Sequence, residues 1–419
     1  MRQHVREEPA YATPVGIAGI GILSAIGHDL SSTWESLAQG RSGITALPHV
    51  VHRGKTMSVG LCAGEHVREV LQAKGCRDRD VNESSPLAYA LYVVRQALDA
   101  MPRSARARFT GAECGLYCGT SIGNSGYLVT QCERHFGEHK RTATKTVLNS
   151  MYSYIGSALA IRLDVAGPNY TFASSCAAGL QALATAVRDL RDGYVDAAVV
   201  VSVDSAMNPG LLEAWSNMRV LGSAERPEHA ARPFCKTRNG FVYAEGAACL
   251  LLTKTTKFEP VRFLGHGLSA DTASPVQTSP ATMAACMRRA LDAARVAPPD
   301  IDFIQANATG SWVGDQNEAE AIAAVFGEAR PPVYSSKALY GNAAGAKGLI
   351  DLVLTLQMLE HSFVPRNPHI FAPDGAIEAY INCSYTDVRR KLTHALINTF
   401  GFGGINHCLV VAREESHES

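Results

Sequence analysis

The sequence predicts an α/β fold in which parallel or mixed sheets are covered by helices, and three observations carry that expectation. Short apolar runs of strand length alternate with longer stretches of helical periodicity along nearly the whole chain, an order that lays helices over sheet faces. The 419 residues are 46% hydrophobic and 19% charged, which supplies an extensive core and is unlike a disordered chain. Glycine, at 36 residues, clusters at the ends of the apolar runs, where tight turns or close backbone approach need it.

Residues 1–13 are polar apart from Ala10-Tyr11-Ala12 and read as a flexible arm. The first apolar run, Val15–Leu23, reads as a core strand. Its glycines fall at 16, 19 and 21, which is not the G-x-G-x-x-G order of a dinucleotide loop. Cys114 and Cys118 sit four apart, on one face of an alternating strand. The stretch Tyr170–Phe172 ends in small residues, and Ala177–Asp192 follows with apolar residues at 180, 183, 187 and 190, one face of a helix. Ala197–Val203 and Cys249–Thr253 read as further strands. Proline and charge at 254–260 mark a seam, which sets two units at 14–258 and 259–413. In the second unit Ile301–Gln305, Ala395–Asn398 and Cys408–Val411 read as strands and Ala346–Leu359 as a helix, with a flexible tail at 414–419. No solenoid-type repeat appears.

The charges balance, with 39 Lys+Arg against 39 Asp+Glu, and aromatic residues are 7%, so neither a large nucleic-acid footprint nor a base-stacking surface is expected. No apolar run reaches the roughly 18 residues of a membrane span, and the first residues lack the apolar stretch of a signal peptide. A cytoplasmic protein with reduced thiols is therefore expected. The 11 cysteines are odd in number, irregularly spaced and without a Cys-x-x-Cys pair, so neither a disulfide framework nor a zinc site is expected.

The segment Tyr170-Thr171-Phe172-Ala173-Ser174-Ser175-Cys176-Ala177-Ala178-Gly179 carries the most information. A strand, small residues, a cysteine and an amphipathic helix follow one another, which puts a thiol at a helix N-terminus, where the dipole favours the thiolate. Asn398-Thr399-Phe400-Gly401-Phe402-Gly403-Gly404 is a strand running into a glycine turn able to aim a backbone N–H at a substrate oxygen. A thiol with convergent backbone donors is the minimum apparatus for acyl transfer through a thioester.

From about Val15 to Val411 the sequence resembles β-ketoacyl synthases of the elongating type, within the thiolase-like condensing enzymes. The resemblance rests on Gly19-Ile20-Gly21-Ile22-Leu23-Ser24-Ala25-Ile26-Gly27, Ser174-Ser175-Cys176-Ala177-Ala178-Gly179, and Ala231-Arg232-Pro233-Phe234 with Arg238-Asn239-Gly240-Phe241-Val242 and Glu245-Gly246. It continues through Thr309, Gly314-Asp315 and Glu318-Ala319, then Ser335-Ser336-Lys337, and ends at Phe400-Gly401-Phe402-Gly403-Gly404. It implies a thiolase-like fold of two pseudo-equivalent halves in a five-layered α-β-α-β-α arrangement, usually a dimer. It further implies Cys176 as the acyl-accepting nucleophile, an oxyanion hole from the Cys176 and Phe402 N–H groups, Phe402 as gatekeeper, and Lys337 and Glu318 as buttresses. No cofactor is implied, because substrates ride on the phosphopantetheine of an acyl carrier protein.

Two departures from that family fall at its histidine positions. Where it carries histidines, this chain has Asn307, in Ala306-Asn307-Ala308-Thr309, and Asn342, at the end of Lys337-Ala338-Leu339-Tyr340-Gly341-Asn342. An amide donates a hydrogen bond but carries neither a proton nor a positive charge. Asn307 and Asn342 are thus the expected polarisers of the extender thioester. Other departures are Cys235 and Asn239 at aspartate positions, read as structural. His266, His394 and His407 read as core-edge or surface residues. Arg103, Arg106, Arg108, Lys140, Arg141 and Lys145 read as solvated basic faces able to meet an acidic carrier. The readings left open are decarboxylative condensation, acyl transfer without decarboxylation, and a chain-length-factor-like partner in a ketosynthase heterodimer. A coenzyme A thiolase lacks support, since Phe400 and Phe402 occupy the turn where its second cysteine belongs.

Overall fold

A computed structural model of the chain describes residues 15–52, 54–76, 84–205, 207–254, 261–276 and 278–413. The expected arm at 1–13, the tail at 414–419 and the expected boundary between 258 and 259 lie outside the described residues. The first sheet is built from β1 (Val15–Leu23), β2 (Cys114–Gly119), β3 (Asn169–Phe172), β4 (Ala197–Asp204) and β5 (Gly246–Lys254) in the order β1-β5-β4-β2-β3. The second uses β6 (Val261–Ala270), β7 (Phe303–Gln305), β8 (Val333–Tyr334), β9 (His394–Gly401) and β10 (Ile405–Arg413) in the order β6-β10-β9-β7-β8. Taken in chain order within each sheet, both read first-fifth-fourth-second-third. The pairings agree as well: antiparallel for the first two contacts and parallel for the last two.

The helices repeat the same logic. Helix α1 (Ser85–Asp99) follows β1 and α2 (Tyr154–Leu163) precedes β3; α4 (Pro280–Ala294) follows β6 and α5 (Trp312–Phe326) precedes β8. Helices α3 (Ala178–Arg191) and α6 (Lys347–Glu360) lead into β4 and towards β9, and form the middle layer. Leu180, Leu183, Val187 and Leu190 of α3 share one core with Leu349, Val353 and Leu356 of α6, together with Leu250 from the first sheet and Ile397 from the second. Each such side chain contributes roughly 1.5–3 kcal/mol by leaving water. Val94 and Leu159 pack on the outer face of the first sheet against Leu116, Val199 and Leu251. Met287, Leu291 and Ile322 do the same on the second against Ile304, Leu396 and Val410. The result is five layers, helix-sheet-helix-sheet-helix.

The glycines of the first apolar run are explained by contact. A Cβ on Gly21 would lie 1.9 Å from Val93 O and one on Gly19 2.4 Å from Ala97 O, so α1 lies directly on the backbone of β1. Helix α4 uses Gly265 and Gly267 of β6 in the same way, a Cβ on Gly267 falling 2.0 Å from Cys286 O. Strand β2 is buried along its whole length, because helices cover both sides of its sheet. Cys114 and Cys118 share its outer-facing core. Helices α3 and α6 begin slightly later than their apolar periodicity suggests, since short 3-10 turns at Ser175–Ala177 and Ala344–Ala346 precede them.

Candidate active site

Cys176 lies in the 3-10 turn that opens α3, one residue after Ser175, whose φ of 53° is left-handed. For a non-glycine residue that geometry costs on the order of 1–3 kcal/mol and is held by its surroundings. It turns the thiol out of the layer onto the floor of a cavity of about 360 Å³. Gly401, at the end of β9, lets the second half approach: a Cβ there would stand 3.2 Å from Cys176 N and 3.3 Å from Cys176 Cβ. The glycine turn continues at Gly403 and Gly404, with φ of 84° and 73°. It is pinned by Gly403 N–H donating to Pro275 O (2.7 Å) and Asp271 N–H donating to Gly404 O (2.8 Å). Among the described residues the N–H groups of Cys176 and Phe402 meet no acceptor. The Phe402 ring lines the cavity and rests 5.6 Å from Trp215 and 6.3 Å from Phe241, centroid to centroid.

Asn307 and Asn342 line the same cavity. Asn307 follows β7, and its Oδ1 accepts from Phe400 N–H (3.0 Å) and from Lys347 Nζ. Two donors on one atom fix the amide, since turning it over would set NH2 against both. Nδ2 is thereby left as the donor available to the cavity. Asn342 is held by its backbone, its N–H donating to Val242 O (2.7 Å) and its carbonyl accepting from Ala244 N–H (3.0 Å). The preceding Gly341 has φ 86°, with room for no side chain beside Ala244. Asn342 is 5% exposed and its Oδ1 has no partner among the described residues.

Beneath these two amides lies a buried charged layer. Glu318 of α5 accepts from Asn307 N–H (2.8 Å), Ala308 N–H (2.7 Å) and Asn398 Nδ2 (3.0 Å), and burial raises its carboxyl above the ordinary range. Lys337 does not line the cavity: its Nζ donates to Ala306 O (2.8 Å) and to Asp351, so it holds the Asn307 loop from behind. Asp351 also accepts from Ser336 Oγ (2.8 Å), Tyr340 OH (2.9 Å) and Gln305 Nε2 (3.1 Å).

The sequence reading missed Lys347, the first residue of α6, which is fully buried. Its only signal was a single lysine inside the otherwise small and apolar Ala343–Ile350. Burial and the neighbouring Lys337 pull its ammonium down from 10.5 to about 8.

The remaining candidates stand apart. His266 and His407 line a separate cavity beside α3 together with Arg188 and Arg191. His407 is buried with both ring nitrogens unpartnered among the described residues, and burial holds it at about 3. His394 Nδ1 sits 3.0 Å from Thr393 Oγ1 at the other end of β9 from the glycine turn. Cys235 Sγ bonds Thr237 Oγ1 (3.3 Å), and Asn239 exchanges bonds with the Ser223 backbone (3.1 Å each way). Arg106 pairs with Asp99 and Lys140 with Glu138 at the surface. All eleven cysteines are free thiols, and among the described residues no helix is long and apolar enough to cross a membrane.

Comparison with known proteins agrees with this geometry. The β-ketoacyl synthase N-terminal domain matches residues 12–257 and the C-terminal domain residues 262–371. The 3-oxoacyl-[acyl-carrier-protein] synthase 1 of Escherichia coli is 29% identical over 409 residues, covering 95% of this chain and 98% of the relative. The 3-oxoacyl-[acyl-carrier-protein] synthase 2 of Coxiella burnetii is 26% identical over 417 residues, covering 95% and 98%. A type II PKS acyl-carrier protein in complex with its ketosynthase bound to the hexaketide has a chain that superposes with a TM-score of 0.84 at 21% identity, covering 96% of this chain and 100% of that one. A ketosynthase in complex with its chain length factor from Xenorhabdus doucetiae gives 0.80 at 21%, covering 97% and 100%. The two sheets of identical order, the cysteine at the head of α3 and the matched domains lead to one conclusion: the chain belongs to the β-ketoacyl synthase family, with its thiolase-like fold.

Proposed function

We propose that the chain is a ketosynthase-type acyltransferase acting on acyl groups borne by an acyl carrier protein, in fatty-acid-like or polyketide biosynthesis. The observation that carries this reading is the convergence on one cavity of the Cys176 thiol, two unengaged backbone N–H groups and the fixed Nδ2 donor of Asn307.

In the first step the Cys176 sulfur attacks the acyl thioester. The oxyanion is received by the N–H groups of Cys176 and Phe402, and the carrier thiol leaves with the proton. In the second step a malonyl thioester, its carbonyl oxygen facing Asn307 Nδ2 and the Asn342 amide, loses carbon dioxide. The electrons of the broken C–C bond form an enolate. The enolate carbon attacks the acyl–Cys176 carbonyl, and collapse of the tetrahedral adduct breaks the C–S bond and returns the thiolate. Phe402, against Trp215 and Phe241, closes the acyl side of the cavity.

Incubation with an acyl carrier thioester, followed by intact and peptide mass spectrometry, tests the first step. The expected result is one acyl group on Cys176; its absence, while a known ketosynthase acylates under the same conditions, refutes the reading. The amides at 307 and 342 favour a second reading, acyl transfer from Cys176 to another acceptor without decarboxylation. Release of labelled carbon dioxide from malonyl carrier protein separates the two. A homodimer, or a heterodimer with a second ketosynthase-like subunit, is the proposed assembly, and the mass of the purified complex reads it directly.

A further inference from the structure

Lys347 is buried under conditions that oppose a cation. Its side chain is inaccessible to solvent, and desolvating an ammonium costs several kcal/mol. It occupies the first position of the 14-residue α6, where the helix dipole repels positive charge. Among the described residues it makes no ion pair, since the nearby Asp351 carboxylate is taken by Lys337. At the corresponding start of α3 the chain has Ala178, so the frame does not require a lysine there. A methionine or leucine would fill the space without these costs. What the ammonium does touch is Asn307 Oδ1, the back of the amide whose front faces the substrate cavity.

We propose that Lys347 is the positioning cation of this site: bonded to Asn307 Oδ1, it orients and polarises the amide so that Nδ2–H meets the forming oxyanion as a charge-strengthened donor. The amide is conjugated, so electron density drawn from Oδ1 by a cation leaves the opposite N–H more acidic, and chained hydrogen bonds of this kind reinforce one another. Asn307 and Lys347 together thus return to the cavity the positive character that an amide alone lacks. This inference rests on the ketosynthase reading above.

The charged groups facing Lys347 are Lys337 from the short helix Lys337–Tyr340, Asp351 from its own helix, Glu318 from α5 and Cys176 at the head of α3. Lys337 disfavours the ammonium and the other three favour it. The balance leaves it titrating at about 8, so the active cation is present below that value and is lost as pH rises through it.

The test compares the full-length wild type with Lys347→Met and Lys347→Gln. It measures carbon dioxide release and condensation from malonyl carrier protein between about pH 6 and about pH 9.5, alongside Cys176 acylation. The wild type is expected to lose condensation rate above about pH 8. Lys347→Met is expected to lower kcat roughly 10- to 100-fold at neutral pH, to leave KM within about threefold, and to abolish the alkaline fall. Lys347→Gln keeps a donor to Asn307 without the charge. It is expected to fall between the two in rate and to share the flat profile. Replacing the buried ammonium should not lower the melting temperature, so a loss of rate is not a loss of fold. If Lys347→Met keeps the wild-type kcat and the wild-type alkaline fall, the proposal is wrong while the ketosynthase reading stands. If the wild type itself releases no carbon dioxide, the condensation reading is wrong and this proposal falls with it.

Discussion

Glu318→Gln is the most informative single change outside the cavity, because the bonds to be lost can be counted. Three donors converge on two carboxylate oxygens: Asn307 N–H and Asn398 Nδ2 on Oε1, and Ala308 N–H on Oε2. A glutamine has one acceptor oxygen. In its better orientation that oxygen keeps the first pair, and the new NH2 faces Ala308 N–H, a donor set against a donor. One charge-assisted bond is lost and one buried N–H is left unmet, which costs about 1–3 kcal/mol. Removing a buried carboxylate relieves part of that. Asn307 keeps its backbone bond, while Ala308 behind it is released. Condensation is therefore expected to fall roughly tenfold, the equivalent of about 1.4 kcal/mol in the barrier. Acylation of Cys176, whose proposed oxyanion donors, the N–H groups of Cys176 and Phe402, lie outside the Asn307 loop, should persist. The assay pairs carbon dioxide release with mass-spectrometric acylation and a thermal melt. Unchanged condensation and melting would refute the reasoning, because the carboxylate would then not be positioning the loop. Equal loss of acylation and condensation would refute it too, by showing damage to the whole site.

Other outcomes follow from the same geometry. Asn307→Asp should pair with Lys347 and keep the melting temperature, yet lose the Nδ2 donor and drop condensation roughly 10²–10³-fold in the carbon dioxide assay. Burial raises Asp204 to about 6 and Asp315 to about 7, both from 3.8. For these two acids the folded state holds its protons more tightly than the unfolded chain does. Their contribution to stability is therefore present near pH 4 and is lost as pH rises through 6–7, and melting curves of Asp315→Asn across that window should show a shallower decline than the wild type. Gly21→Ala would drive a Cβ to 1.9 Å from Val93 O and should destabilise by about 2 kcal/mol or more, measured in denaturant.

Much of the site was legible because its pieces sit at the ends of strands, where small residues and glycine betray a turn. Cys176, Asn307, Asn342 and Phe402 are far apart in the chain, yet all four line one cavity: β9 ends beside the turn that opens α3, β7 pairs with β9, and Asn342 leads into the matching turn that opens α6. Lys337 was legible as a motif residue, but not its direction: it points at Ala306 O and Asp351 rather than into the cavity. Lys347 was not legible, because a lone lysine in an apolar run states nothing about its partner until the fold brings Asn307 to it. The internal duplication was expected from the family resemblance but is nearly invisible in the residues themselves, for a related reason. Ser174-Ser175-Cys176-Ala177-Ala178-Gly179-Leu180 and Ala343-Ala344-Gly345-Ala346-Lys347-Gly348-Leu349 coincide only at Ala177/Ala346, Gly179/Gly348 and Leu180/Leu349. Those are the small and apolar residues that the helix crossing requires: a Cβ on Gly179 would lie 3.2 Å from Gly345 O.

That duplication gives the molecule a blank copy of the turn that carries Cys176. Ser175 and Ala344 both stand at left-handed φ, 53° and 44°, one residue before Cys176 and Gly345. In the second turn the Gly345 N–H is spent on Asp204, and a Cβ there would lie 2.5 Å from Ser121 N, so the place is stoppered where the first is open. The fold thus carries its own control. A glycine introduced at Ala344 reports what the backbone twist costs the scaffold alone, and the same change at Ser175 reports that cost plus whatever the twist contributes to the thiol. The difference between the paired variants isolates the share of strain that serves the reaction.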